Sequence, residues 1–530
     1  MLDRSLVLPH AIESLATTTP NAPAIVDVAG RTVTYAGLRD AALQWAGGFQ
    51  QLGVGPGHNV LTMLPNSLEA YFGWLGVAWL GAIEVPTNTM YRGAMLAYLL
   101  NDSEAEIAVV ASRFIDRLAE VASEVKRLRV VVVPDADGDL PALPFEVIRG
   151  EEFLAGEPAQ LVGPDYHDVS CMIYTSGTTG PSKGVLVPWA ELYEFVRILP
   201  ADTLDAGRAM YTTYPAFHVS GKVMLYMTVD RSGHLILRET FSPSEFWNDI
   251  KRHDCQAAGL LGPMAALLML APPSQDDAST PLENVFMGPL IPSVGDFAKR
   301  FDVKVGTGYG MTEIGVPLAS NGFDLVDGHS CGRRRVGPPG YEVRIVDEYD
   351  EPVPPDTVGE LVVRAADPWV LNAGYWRLPE ATARAWRNGW FHTGDGFRED
   401  ADGNFYFVDR LKDSIRRRGE NISSFEVEAG VIAHPAVLEC AAIGVPSEFG
   451  EDDVKVVVVR HPGEELTPVD LIEFLVTRMP RFMIPRYVEF ADALPKTDAT
   501  FRVQKIHLRA SAFNDRVWDR EAAGMVLPRD

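Results

Sequence analysis

The sequence predicts an α/β protein with a large N-terminal domain and a small α+β domain at its C-terminus. Three observations predict it. Apolar strand-like runs alternate with helical periodicity over 20–170 and again after 185, the pattern of parallel strands joined by crossover helices. From Tyr341 the texture changes to short strands and tight turns, YEVRIVDEYDEPVPPDTVGELVVR, which predicts a β-rich subdomain over about 341–408. After 409–413 a fresh α+β pattern begins, so a boundary is expected at about 410–412, dividing the chain into 1–410 and 411–530.

In chain order, 24–28 reads as a strand and Thr34 as the N-cap of the helix after it. Residues 59–64 read as a strand followed by a helix after Asn66, and 108–110 and 130–133 as further strands. Cys171, Met172 and Ile173 form the strand that delivers the segment 174–185. Strands are expected at 209–214, 234–237 and 257–261. The apolar runs 71–83 and 257–271 are shorter than the roughly 20 residues that span a bilayer and read as buried core helices. Residues 272–281, rich in Pro, Asp and Ser, read as one exposed loop, and 403–408 as a hairpin. Beyond 411 the pattern gives a helix at 425–433, strands at 439–445 and 453–460, and a helix at 469–479.

At 530 residues the chain exceeds one ordinary domain. Its 72 acidic and 47 basic side chains leave a formal charge of -25, which repels nucleic acid and anionic membranes at long range. Against that background Arg333–Arg335 and Arg416–Arg418 stand out as local anion sites. Four widely spaced cysteines form neither a metal pattern nor a disulfide framework and suit a reducing cytoplasm. The N-terminus, with Asp3 and Glu13, lacks the basic start and apolar core of a signal peptide.

The segment 174–185, YTSGTTGPSKGV, concentrates hydroxyls, three glycines and a lysine. Gly177, Gly180 and Gly184 let main-chain N–H groups approach an anion, Thr175, Ser176, Thr178 and Thr179 add hydroxyl donors, and Lys183 adds positive charge. It is not a Walker A loop, because Pro181 and Ser182 separate the last glycine from the lysine and Gly184 follows it. Four more segments accompany it: YGMTE at 309–313, FHTGD at 391–395, DRLKD at 409–413 and RGENISSFEVE at 418–428.

In this order, over essentially the whole chain, the five motifs resemble the adenylate-forming superfamily of acyl-CoA synthetases, luciferases and peptide-synthetase adenylation domains. TEIGVP at 312–317, NAGYW at 372–376 and DRLKDSIRRRGENIS at 409–423 look most like its crotonobetaine/carnitine-CoA ligase-like branch. The resemblance implies two αβ-layered subdomains and the β-rich subdomain in the large domain, with a mobile C-terminal domain turning on a hinge near Lys412. It implies ATP, Mg²⁺ and CoA. Thr175, Ser176, Gly177, Thr178, Thr179, Gly180 and Lys183 would hold the β- and γ-phosphates, Thr312 the α-phosphate, and Glu313 with Thr175 the magnesium ion. Tyr309, beside Gly310 and Gly288, would stack on adenine, and Asp395 and Arg410 would take the ribose hydroxyls. Gly419 would lie beside the pantetheine tunnel, with Arg416–Arg418, and Arg333–Arg335 as well, as candidates for the CoA phosphates.

Phe217 and His218 match the aromatic and histidine pair beside the acyl site. Members that activate α-amino acids carry Asp at the position of His218, so such a substrate is disfavoured. The implied reaction is ATP-dependent formation of an acyl-adenylate from a carboxylic acid, with loss of pyrophosphate, and then acyl transfer to CoA. Alternatives on the same scaffold are delivery to a carrier-protein thiol, diazotase-type activation of nitrite for an arylamine, and a silent nucleotide-binding protein. An oligomer is compatible with the sequence.

Three departures bear on the chemistry. In LPKTDATFRVQKIHL, Arg502 stands where the family has its adenylation lysine, with Lys505 three residues later and Lys496 before the turn. Arginine presents a planar fork in place of a compact ammonium, so Arg502, a shifted Lys505 or Lys496, or a redirected reaction are the options. FMGPLIP at 286–292 has a single glycine, and Lys222, at a position usually apolar, either faces solvent or pairs with a second carboxylate on the substrate.

Overall fold

Strands covered on both faces are apolar along their whole length, and Ile107–Val110 and Val130–Val133 are buried at every position. In the computed structural model they lie inside a seven-stranded sheet ordered Glu146–Arg149, Val130–Val133, Ile107–Val110, Asn59–Met63, Ile83–Pro86, Val169–Thr175 and Lys183–Pro188. All neighbours are parallel except the last pair, which forms a hairpin. A second seven-stranded sheet runs Lys304–Gly306, Asn284–Met287, Cys255–Leu260, Ala209–Thr212, His234–Leu237, Pro23–Asp27 and Thr32–Thr34, parallel up to its final antiparallel pair. The structure describes residues 3–160, 162–175, 182–198, 200–410, 415–417, 420–422, 424–447, 452–476, 478–479, 481–496 and 503–527.

The two sheets are the αβ layers expected. The hairpin Pro23–Asp27/Thr32–Thr34 joins the second sheet, where Pro23–Asp27 pairs with His234–Leu237, and not the sheet built by the strands 59–63, 83–86 and 107–110 that follow it in sequence. Thr34 caps the helix Tyr35–Gln51, its hydroxyl accepting from the Gly37 N–H at 3.1 Å. The helix Leu68–Trp79 packs against it so closely that a Cβ on Gly76 would come within 2.8 Å of the Trp45 Cβ. Of the two runs read as core helices, 71–83 holds the end of that helix, and 257–271 divides. Cys255–Leu260 is a strand, and the helix begins only at Gly262–Met269, with Pro263 in its first turn and Leu267 and Leu270 exposed. Antiparallel pairing starts before Tyr341, in the meander Gly308–Met311, Gly315–Ala319 and Ser330–Arg334. Further strands follow at Tyr341–Val346, Gly359–Ala365, Phe391–Glu399 and Asn404–Arg410.

The chain divides into two compact units, the first comprising Met1–Val343, Val363–Phe391 and Gly403–Phe405, and the second Arg344–Val362, His392–Asp402 and Tyr406–Asp530. The second unit contains a sheet ordered Val437–Pro446, Asp452–Arg460, Tyr487–Phe490 and Val517–Asp519. The helices Ser424–Ile432 and Pro468–Val476 contribute Val427, Val431, Leu471 and Leu475 to a core shared with Val456 and Val458.

Several charged residues are placed differently from the sequence reading. Lys222 neither faces solvent nor is held for a substrate carboxylate: it is 1% exposed, ion-paired with the 2%-exposed Glu84 and 4.2 Å from the Trp74 ring centroid. The Thr62 hydroxyl donates to the other Glu84 oxygen at 2.8 Å. The pair joins the helix Val219–Asp230, which packs on the second sheet, to a strand of the first. Arg335 is no phosphate ligand either. Its guanidinium donates to the Glu194 and Val316 carbonyls at 3.0 Å and pairs with the buried Glu194 carboxylate at 3.3 Å. Arg333 donates to Asn404 and Arg334 to the Tyr341 carbonyl. Arg417 is buried against Asp453 at 3.0 Å, because Ile415–Arg417 and Glu420–Ile422 form a short hairpin that turns it inward.

Removing one partner of a buried ion pair leaves the other charged and dry. Lys222→Met is expected to destabilise the large unit by about 3–5 kcal/mol, and adding Glu84→Gln to recover most of that loss. Urea denaturation of the single and double variants measures both.

Candidate active site

The phosphate-loop candidate is a hairpin whose stem is fixed by strand register. Thr175, half-buried, ends Val169–Thr175, Lys183 opens Lys183–Pro188, and the two are direct antiparallel partners. Ser176, Gly177, Thr178, Thr179 and Gly180 lie outside the described residues. The stem is braced: the Tyr98 hydroxyl donates to the Ser182 carbonyl at 3.0 Å and the Tyr174 hydroxyl to Asp102 at 2.7 Å.

The other edge of Lys183–Pro188 is taken by 372–376. Val185 and Tyr375 bridge antiparallel, the Leu186 N–H donates to the Gly374 carbonyl at 3.0 Å, and the Trp376 N–H to the Gly184 carbonyl at 2.7 Å. The same segment reaches the turn 312–314. Asn372 donates to the Glu313 carbonyl from its backbone at 3.1 Å and from its side chain at 2.7 Å, and the Tyr375 hydroxyl donates to the Glu313 carboxylate at 3.3 Å. The Lys183 ammonium stands 4.8 Å from the Tyr375 ring centroid. Burial, and then the neighbouring Glu313 charge, push the Tyr375 phenol far up, so it stays protonated and donates. The structure thus brings Lys183, Thr175 and Glu313 together through Tyr375.

Tyr309, half-buried, pairs with Leu318, and Met311 with Gly315. Gly310 is exposed, but a Cβ there would meet the Gly315 carbonyl at 2.3 Å, so this tight hairpin requires glycine. Thr312 is half-buried in the turn, and Glu313 is buried. Gly288 closes the strand Asn284–Met287 beside the same hairpin, its nearest prospective contact being the Gly308 carbonyl at 3.8 Å. The Glu191 side chain is wholly buried on the helix Trp189–Val196, where burial and then the charge of Glu313 hold its carboxyl well above the usual range and keep it neutral.

His218 is the N-cap residue of Val219–Asp230, its ring 4.9 Å from that of Phe217 at 47°. Its Nε2 is buried with no hydrogen-bond partner among the described residues, and burial pushes the imidazole down to about 4. The imidazole is therefore neutral at pH 7.

The remaining candidates lie in the second unit. Asp395 is buried on Phe391–Glu399, its backbone N–H donating to the Thr393 hydroxyl at 3.1 Å. Arg410 ends Asn404–Arg410 and Arg416 is the middle residue of Ile415–Arg417; the description covers their backbones only. Lys412, Gly419 and Arg502 lie outside the described residues. Lys505 opens the helix Lys505–Ala510, ion-paired with Glu428 at 2.8 Å and bonded to the Ser424 hydroxyl. Lys496 pairs with Glu439 at 2.5 Å and bridges antiparallel to Val503.

Sequence reasoning missed Glu191 and the part played by Asn372 and Tyr375. NAGYW was visible, but the contact from Tyr375 to Glu313 spans 62 positions and nothing local announces it.

The profile described as AMP-binding enzyme matches residues 12–376, and that described as AMP-binding enzyme C-terminal domain matches 426–500. A crotonobetaine/carnitine–CoA ligase of Salmonella agona is 29% identical over 482 residues, covering 88% of this chain and 91% of that protein. Among solved structures, the anthranilate CoA ligase AuaEII in complex with anthranoyl-AMP superposes with a TM-score of 0.84 at 23% identity, covering 98% of this chain and 99% of that one. ATP-bound MatB from Rhodopseudomonas palustris superposes with a TM-score of 0.83 at 25% identity, covering 95% and 98%. With two thirds of its length matched by one profile and a second profile following in order, the chain belongs to the AMP-binding enzyme family.

Proposed function

We propose that this enzyme is an ATP-dependent acid:CoA ligase acting on a carboxylic acid other than an α-amino acid. The observation that carries the reading is the joining of the Thr175/Lys183 stem to the Glu313 turn through 372–376, which brings a cation and a carboxylate to one tyrosine. The crotonobetaine/carnitine–CoA ligase relative supports CoA as the acceptor.

The substrate carboxylate attacks the α-phosphorus of ATP, the bond to the β-phosphate oxygen breaks, and pyrophosphate leaves. The thiol of CoA then attacks the acyl carbon, AMP leaves, and the thiol proton passes to solvent. Lys183 and the loop N–H groups would hold the departing pyrophosphate, Thr312 the α-phosphate, Tyr309 the adenine, and Asp395 with Arg410 the ribose. Glu313 and Thr175 would hold Mg²⁺, and the fit rests on a buried carboxylate whose Tyr375 donor is neutral and leaves its negative charge in place. Bound there, the ion would offset negative charge on the phosphates. His218 supplies a neutral ring where an ammonium-bearing substrate would need a carboxylate, which supports an acid without an α-amino group. Rotation of 411–530 about Lys412 would exchange Arg502 at the adenylate for Gly419 and Arg416 at CoA.

Arg502 is the proposed adenylation cation, and the ion pairs holding Lys505 and Lys496 support that choice. With Mg-ATP and a panel of aliphatic and aromatic acids, one acid is expected to yield AMP and its CoA thioester only when CoA is present. AMP without thioester would transfer the reading to another acceptor, and nitrite with an arylamine belongs in the panel for that reason. Lys183→Ala should lower pyrophosphate release by about 10²–10³-fold.

Arg502→Ala is expected to slow adenylation by a similar ~10²-fold or more while leaving thioester formation from synthetic acyl-AMP near wild type. Lys505→Ala should leave pyrophosphate release within about threefold and lower Tm instead, as loss of a structural ion pair does. Single-turnover assays of each half-reaction separate the cases.

A histidine whose folded pKa lies below its unfolded value is protonated preferentially in the unfolded chain. The stability that His218 contributes is present above about pH 6.5 and is lost as pH falls toward about 4. Thermal melts should fall more steeply across that window for wild type than for His218→Gln.

A further inference from the structure

Lys183 and Glu313 carry opposite charges at one site, and in direct contact they would neutralise each other. Tyr375 touches both of them. Its position is set by main chain: the bridge to Val185 and the bonds from Leu186 to Gly374 and from Trp376 to Gly184 fix its Cα against the lysine-bearing strand. The Trp376 indole anchors the next residue on the Asp102 carbonyl at 3.0 Å. From there the ring lies under Lys183 at 4.8 Å and the hydroxyl reaches Glu313 at 3.3 Å, while Asn372 holds the Glu313 backbone.

We propose that Tyr375 is a positioning residue of the nucleotide site, its ring face setting the Lys183 ammonium and its hydroxyl orienting the Glu313 carboxylate so that both point at the triphosphate and its metal. The inference rests on the nucleotide reading above. A phenol suits the task because it donates a hydrogen bond without bringing a positive charge, which leaves Glu313 anionic for a cation, and because its π face attracts an ammonium without neutralising it.

Calorimetric binding of a non-hydrolysable ATP analogue, first in EDTA and then with Mg²⁺ titrated in, separates the two functions. Tyr375→Phe keeps the ring and loses the donor. It should bind the metal-free analogue within about twofold of wild type but need about fivefold more Mg²⁺ for half-maximal tightening. Tyr375→Leu loses both contacts and should also bind the metal-free analogue about tenfold more weakly. In a Glu313→Gln background, Tyr375→Phe should produce no further shift in the Mg²⁺ midpoint, because its effect passes through that carboxylate. A wild-type Mg²⁺ midpoint in Tyr375→Phe, or the same shift with and without Glu313, overturns the inference while the nucleotide reading stands. Failure of the wild-type protein to bind the analogue overturns the nucleotide reading itself. Should Tyr375→Leu not fold, the phenylalanine variant and its Glu313→Gln double carry the test alone.

Discussion

Everything at the proposed nucleotide site depends on hydrogen bonds made along both edges of one short strand. On one edge Lys183–Pro188 pairs with Val169–Thr175, which closes the loop and sets Lys183 opposite Thr175. On the other it accepts 372–376, which carries Asn372 to the Glu313 backbone and Tyr375 to its carboxylate. Backbone pairing of this kind fixes side-chain direction, because a slip of one residue would send alternate side chains to the opposite face. Gly184 shows how tightly the strand is held: a Cβ there would come within 2.7 Å of the Met172 sulfur and 3.3 Å of the Trp376 Cβ. A loop proposed to grip a polyanion needs such a stem, since its donors would be only as well placed as the residues that anchor them.

Charge buried behind the site is managed in three ways. Lys222 and Glu84 are both ionic and paired, and Thr62 and Trp74 complete the shell. Glu194 is paired with two arginines, Arg197 at 2.9 Å and Arg335 at 3.3 Å, which oppose the upward push of burial on its carboxyl. Glu191, one helical turn from Glu194, faces Glu313 and is held neutral. These solutions follow from what each carboxyl faces. Where a cation can be packed against it the charge is retained, and where the neighbour is another carboxylate one of the two gives up its charge. Glu191, and not a cation, is therefore what faces Glu313 from that helix.

Legibility followed the range of the determinants. Strands, helix starts and turns were readable because their signals are local: Thr34 caps the helix predicted after it, and the all-apolar run 130–133 is a fully buried strand. The stretch 257–271 reads both as a strand at 257–261 and as a core helix over its whole length; the break at Leu261 to Pro263 divides it, so the strand is found and the helix is only the second half. Motif residues proposed to meet a ligand could be named from their chemistry and from the family resemblance. Residues whose role lies in a distant partner could not. Lys222 and Arg335 looked like surface or substrate-facing cations because nothing near them in sequence reveals Glu84 or Glu194, and the inward turn of Arg417 depends on a hairpin only three residues long on each side. Tyr375 escaped for the same reason.

Arg502 is the proposed adenylation cation because of what holds the two lysines near it in sequence. Lys496 and Lys505 are each tied to a glutamate of the same unit, Glu439 at 2.5 Å and Glu428 at 2.8 Å. The Glu428 contact does further work: the carboxylate also accepts the Ala442 N–H at 2.8 Å, so Lys505 completes a link between the helix Ser424–Ile432 and the strand Val437–Pro446. Releasing either lysine to an adenylate would strand a carboxylate in an already acidic protein of charge -25. In the proposed reaction a guanidinium at 502 would take the role without releasing either lysine. It remains charged at any working pH, and its planar fork can hold a carboxylate oxygen and a phosphate oxygen together, the two groups that must be brought into contact when an acid attacks ATP.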